Sequence, residues 1–267
     1  MMRKGDDNRK NKASHGLFFA EHKRSGSHGR SGYNARASLT LGIAGINAPR
    51  YSGADKRHWQ LMPLIQARDG AFFLDTQKGV GYDLQADNGL YLEHTLGYGL
   101  GRADSHSSWR DGDDRLKGMG KIDATVNTSL AVGWSITSWL TVEGKATLPL
   151  SDSQGVQYRP SVTLIPWQTD SDTVALQAAG LFGDGRYLNT FYGVNSQQSA
   201  RSGFARYNAA GGFYGTDTSL TWSHQFTPAW AASVIGDYTW LDKHASDSPI
   251  VARRNGVSAT LALSYTF

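Results

Sequence analysis

The sequence predicts an all-β fold, a transmembrane antiparallel up-and-down β-barrel. Three features point to it: long stretches alternating apolar and polar residues, aromatics gathered at their ends, and short turns alternating with long loops. Side chains on a strand point alternately to opposite faces, so such stretches present one apolar and one polar side.

The clearest case runs from Ile122. Ile122, Ala124, Val126, Thr128, Leu130, Val132 and Trp134 share one face, and Asp123, Thr125, Asn127, Ser129, Ala131 and Gly133 share the other. After "SITS", Leu140, Val142, Gly144, Ala146, Leu148 and Leu150 alternate with Thr141, Glu143, Lys145, Thr147 and Pro149. The charge-free stretch Ala124 to Val142 approaches the ~20 residues of a membrane-spanning helix. Its Thr, Asn and Ser residues would spread polarity around every side of that helix, so the hairpin is the better reading. "VQYRPSVTLIPW", "TVALQAAGLFG", "TSLTWSHQF", "WAASVIGDYTWL" and the C-terminal "NGVSATLALSYTF" continue the pattern. Many of these exceed the usual strand length of about 5–6 residues.

A membrane barrel is favoured over a soluble sandwich. Charges at mid-strand on the polar face (Asp83, Glu93, Asp123, Glu143, Lys145, Arg159 and Asp237) would be costly in a small dry core. Trp134, Trp139, Trp167, Phe226, Trp230 and Phe267 lie where interfacial girdles would lie. The turns "SITS", "TDSD" and "TPA" oppose the long loops "ADSHSSWRDGDDRLKGMG" and "DKHASDSPIVARRNG". Parity with a periplasmic C-terminus makes "YLNTFYGV" a strand and gives 14 strands. Twelve is the runner-up, since "AFFLDTQKGVGYDL" could be one ill-formed hairpin.

The final strand steps from Leu261 through Leu263 and Tyr265 to the terminal Phe267. Its apolar side is expected to face lipid, and its ending resembles the C-terminal signal by which outer-membrane proteins are recognised for assembly. Residues 1–36 are basic and Gly/Ser-rich, with Leu17–Ala20 as their only apolar run. A secretory signal needs roughly 7–15 apolar residues. This segment therefore reads as a missing or misassigned start, ahead of a barrel over 37–267; the alternative is a flexible periplasmic arm binding an anionic partner.

The 267 residues contain no cysteine, so disulfides, thiolate metal sites and Cys nucleophiles are excluded. Mean hydropathy is mildly polar, which argues against a helical membrane protein but not against a barrel. The net charge of +4 is small for this length, and no nucleic-acid partner is expected.

Several local stretches resemble the MipA/OmpV family of outer-membrane proteins. These are "GINAPRYSGAD" with the following "MPLI", "LGYGLGR", "LKGMGKIDAT", "FYGVNSQQSARSG", "DSPIVA" and the closing "SYTF". Their order and co-occurrence carry the resemblance over nearly all the chain after the N-terminal segment. The resemblance implies a bacterial outer-membrane location among lipid and lipopolysaccharide. It also implies a scaffold bridging a periplasmic lytic murein transglycosylase and a peptidoglycan synthase; other members look like adhesins or porin-like proteins.

No enzyme, cofactor or metal site is expected. "GYGLG" lies in a strand pattern with no helix following, as a nucleotide site would need. Glu93 and His94 are strand neighbours on opposite faces. His106, His224 and His244 are scattered, and Ser248 beside His244 is what any serine-rich loop offers. In Asp247, Ser248, Pro249, Ile250 and Val251 the apolar residues interrupt a charged loop, which suggests a constriction, a contact surface or a cap on the barrel mouth. By parity "NSQQSARSG" is a periplasmic turn, making Asn195, Gln197, Gln198 and Arg201 candidate partner contacts. A channel for small hydrophilic solutes is the alternative to the scaffold, and an adhesin using the loop Ala103 to Gly120 is a third reading.

Overall fold

The computed structural model describes residues 37–267; the N-terminal segment 1–36 lies outside the described residues. Twelve strands close into one antiparallel barrel: β1 (Ser38–Pro49), β2 (Arg57–Asp69), β3 (Phe72–Asp75), β4 (Gly79–Gln85), β5 (Leu90–Gly99), β8 (Thr125–Ser135), β9 (Leu140–Pro149), β10 (Gln157–Gln168), β11 (Asp172–Gly183), β12 (Gly212–Gln225), β13 (Trp230–Leu241) and β14 (Asn255–Thr266). The short strands β6 (Arg102–Ala103) and β7 (Asp111–Gly112) pair in parallel outside the barrel. Closure is made by β1 against β14, from Thr40↔Thr266 to Asn47↔Ala259.

The expected 14 strands are corrected to 12. "YLNTFYGV" is not a strand: Gly185–Tyr192 is a helix, α1, followed by α2 over Ser196–Ser202. Asp184 caps α1 by accepting from the Tyr187 amide, and Leu188 and Tyr192, four apart, bury one helical stripe. The doubtful segment near Phe72 does form two strands, but they are short.

Register fixes which face is which. On β14, Val257, Leu261 and Leu263 are exposed on the outer wall, while Thr260, Ala262 and Ser264 are buried inside. On β8, Val126, Leu130, Val132 and Trp134 are outside, and Thr125, Ser129 and Ala131 inside. An apolar exterior over a polar interior inverts a soluble barrel and suits lipid as the outer solvent.

The start of β1, the C-terminus and the turns at 70–71, 86–89, 136–139, 169–171 and 226–229 share one rim, here the terminal rim. Trp134, Trp139, Trp167, Phe226, Trp230 and Phe267 are exposed near it. Tyr265 packs edge-on against both Trp230 and Phe267, at 5.0 and 4.8 Å between centroids. The opposite loop rim carries the segments 50–56, 100–124, 150–156, 184–211 and 242–254. Two of the three buried apolar clusters lie among these loops and the strand ends beneath them.

Candidate functional site

The loops at the loop rim form a plug. One buried cluster joins Tyr51, Ala54, Leu116, Met119, Val194 and Ile250, which come from four separate loops. A second joins Leu188, Tyr192 and Ala209 to Tyr214, Leu241 and Ala245. Hydrogen bonds tie the loops across the mouth. Tyr51 OH donates to the Ile250 carbonyl at 2.6 Å, Gln198 Nε2 to the Met119 carbonyl at 3.0 Å, and Ala252 N to the Gly53 carbonyl at 2.7 Å. Ser248 Oγ donates to the Tyr192 carbonyl.

Arg102 sits at the centre of this plug, only 5% exposed. Its Nη1 donates to the Phe191 carbonyl at 2.7 Å, and its guanidinium lies 5.8 Å from the Tyr51 ring centroid. Burial draws the Arg102 pKa below its ordinary value, while Tyr192, Tyr51 and Asp111 oppose that shift. Burial pushes the Tyr51 and Tyr192 phenols upward, so both remain protonated donors at neutral pH.

Asp247 to Val251 belong to this plug. Ser248 and Ile250 are buried, and Val251 packs against both clusters. The location assigned to Asn195, Gln197, Gln198 and Arg201 is corrected. With "YLNTFYGV" helical, the whole segment 184–211 links the loop-rim ends of β11 and β12, so these residues lie opposite the terminal rim. Asn195 and Gln198 there form a reciprocal helix cap, and Gly203 ends α2 with φ 83°.

Below the plug, the inner wall carries paired charges. Arg68 meets Asp83 at 2.9 Å, Lys78 meets Glu93 at 3.0 Å, and Arg159 meets Asp217 at 2.8 Å. Tyr91 OH donates to Glu143 at 2.6 Å. Lys145 is surrounded by Lys78, Glu143, Glu93 and Arg159, and Asp237 lies against Asp217. Asp123 is corrected: it precedes β8, is 65% exposed, and pairs with Lys121 at 3.1 Å at the loop rim. Arg68, Lys78 and Asp217 are inner-wall charges that sequence reading missed. Arg68 and Asp217 were visible as inward by alternation, Arg68 in phase with Met62 and Leu64 and Asp217 in phase with Ser219 and Thr221; Lys78 enters from a turn, where alternation gives no guide.

His94 faces outward beside Leu92 and Leu96, and its Nε2 lies 2.9 Å from Thr128 Oγ1. Leu261, Leu263, Tyr265 and Phe267 run down the outer wall to the terminal rim.

A family model for MltA-interacting protein MipA matches residues 41–267. No curated protein matches the sequence. Among solved structures the chain is similar to OprB of Pseudomonas putida, at 12% identity and a TM-score of 0.39, with 78% of this chain and 59% of that chain covered. The chain thus spans about three fifths of the length of that protein. It is also similar to the NanC porin, at 11% identity and a TM-score of 0.42, covering 84% of this chain and 98% of that one. The COG4313 outer membrane channel from Pseudomonas putida F1 is similar at 11% identity and a TM-score of 0.41, with coverage of 90% and 100%.

Proposed function

The chain belongs to the MltA-interacting protein MipA family, and we propose that it is an outer-membrane barrel anchoring peptidoglycan-remodelling enzymes, a lytic transglycosylase and a murein synthase. The observation that carries this reading is the plug. Four loops are hydrogen-bonded over the mouth around buried Arg102, an arrangement suited to an anchor more than to an open solute path. The terminal rim, with its short turns and both barrel ends, is the surface such periplasmic enzymes would meet.

The alternative is a porin-like channel, favoured by one feature: the ion-paired inner wall around Lys145. Two measurements on the folded, detergent-solubilised protein separate the readings. An immobilised barrel is expected to retain a lytic transglycosylase or a murein synthase and to leave planar bilayers silent. Loss of both enzymes in the wash would sink the anchor, and stepwise conductance would favour the channel.

A further inference from the structure

The barrel wall is incomplete on one side. The β2–β3 ladder ends where Gln66 pairs with Asp75 and the Thr76 amide donates to the Ile65 carbonyl. Above that rung β2 continues upward from Leu64 to Arg57 with β1 as its ladder partner. Across the gap, the β4–β5 ladder ends at Val80↔Leu96, while β5 goes on to Gly99. The tops of two neighbouring strands are therefore missing, a notch about 10 Å wide before side chains are counted.

The orientation of β2 follows from that last rung. Ile65 turns its backbone groups toward β3, so Pro63, Leu61 and Trp59 turn theirs into the notch. Pro63 has no N–H to offer a neighbour on that side, which suits an unpaired edge. The outer side chains report the missing neighbours. Leu61 is 79% exposed, more than any other large apolar residue described, and Trp59 is 68% exposed. Tyr98, from β5, crosses the foot of the notch to donate to the Thr76 carbonyl. Ser107, whose carbonyl lies 3.4 Å from His58 Nδ1, brings the loop 100–124 over its top.

Behind the notch the inner wall carries an apolar patch. Met62, Leu64, Ala44, Ala262 and Ile235 pack together on the inward face of β2, β1, β14 and β13. The charges these strands turn inward are paired away from it: Arg68, at the terminal-rim end of β2, meets Asp83, and Asp237 on β13 lies against Asp217. An open edge facing hydrocarbon leaves backbone groups without partners, so the fitting occupant brings an apolar chain together with carbonyl acceptors.

We propose that this notch is a lateral portal admitting an acyl chain, carried on an ester- or amide-linked lipid, from the surrounding leaflet to the inner wall beside Met62 and Leu64. The chain lies along Leu61 and Pro63, and its carbonyl accepts from the Leu61 amide. A second copy of the barrel fits less well. Two copies oriented alike in one membrane would bring their β2 edges together as parallel strands, and parallel ladders need an offset that twofold symmetry does not give.

The test uses the full protein in vesicles of phosphatidylcholine carrying a diazirine in one acyl chain. Photolysis is expected to label the inward residues Gln60 and Met62 as well as the outward Leu261 and Leu263, and to leave the inward Ser219 and Thr221 of β12 unlabelled. The chain has no native cysteine, so Leu61→Cys with Tyr98→Cys, bridged by a reducible bis-thiosulfonate linker, closes the notch selectively. Bridging should abolish labelling at Gln60 and Met62 and spare Leu261, and reduction should restore it. The portal is overturned if wild-type adducts are confined to outward residues, if Ser219 labels as strongly as Met62, or if β2 instead cross-links to a second copy. Retained labelling at Leu261 shows that the bridged variant is folded.

Discussion

Tyr91 on β5 stands directly opposite Gly133 on β8, and its ring fills the space that a Cβ on Gly133 would need. The same ring holds its hydroxyl against Glu143, one strand further on. The glycine is thus the seat of an aromatic that ties three neighbouring strands together across the inner wall.

Gly133→Val should therefore push Tyr91 from its seat and break the Glu143 contact. Overpacking of this kind costs about 1–3 kcal/mol, read as a lower urea midpoint for unfolding from lipid vesicles. Gly144 is the control, because its position faces outward and a Cβ there meets nothing. Equal loss in Gly144→Val and Gly133→Val would remove the special role of the Tyr91 seat.

Arg102 is the second position where one side chain decides the arrangement of several loops. Arg102→Met keeps much of the volume but leaves the Phe191 carbonyl without its charged donor, a loss of about 1.5–3 kcal/mol. The expected result is local. Hydrogen exchange and proteolysis should rise over α1 and the loop 242–254, while the barrel keeps its heat-modifiable migration. If the loops stay as protected as in the wild type, Arg102 does not hold the plug.

Much of this barrel was legible because lipid-facing strands leave a period of two. The alternation around Val132 and Leu261 gives the inner and outer faces directly, and the rim aromatics give the strand ends. Residues 187–194 misled for a physical reason: Tyr187, Thr190, Phe191 and Tyr192 are β-prone side chains, but the spacing of four from Tyr187 to Phe191 and from Leu188 to Tyr192 matches a helix packed into the plug. Asp184 as a cap and the Asn195–Gln198 pair are local helix signals that the parity count did not weigh. The shortness of β3 and β4 was readable from "AFFLDTQKGVGYDL", whereas the notch it creates required the register of β2 against β3. Arg102 closes the stretch "LGYGLGR", but nothing in that stretch signals its burial, which arises from contact with Phe191, 89 residues further along the chain.

The inner-wall charges and the plug act in series, which gives an ordered pair of outcomes in planar bilayers. The intact protein should be silent. Replacing Gly185–Ser202 by a short Gly/Ser linker removes both helices from the plug and should produce stepwise conductance. In that background Lys145→Glu should shift the reversal potential toward cation preference, because Lys145 stands among Glu93 and Glu143 and fixed charge at a constriction sets selectivity. Conductance that ignores the sign at position 145 would place the ion path elsewhere.

The outer wall makes the last prediction depend on depth alone. Leu261 and Leu39 both face outward, but Leu39 lies at the terminal rim, where its carbonyl accepts from the Phe267 amide, and Leu261 pairs with Gly45 further up the wall. Arginine on the lipid face costs about 2–4 kcal/mol at the bilayer midplane and falls to about 0–1 near the interface. Leu261→Arg should then lower folding stability in vesicles severalfold more than Leu39→Arg, while the inward Thr260→Ser should change it little. If water rather than hydrocarbon bathed this wall, both arginines would be tolerated alike, because a surface arginine on an exposed strand loses almost none of its hydration.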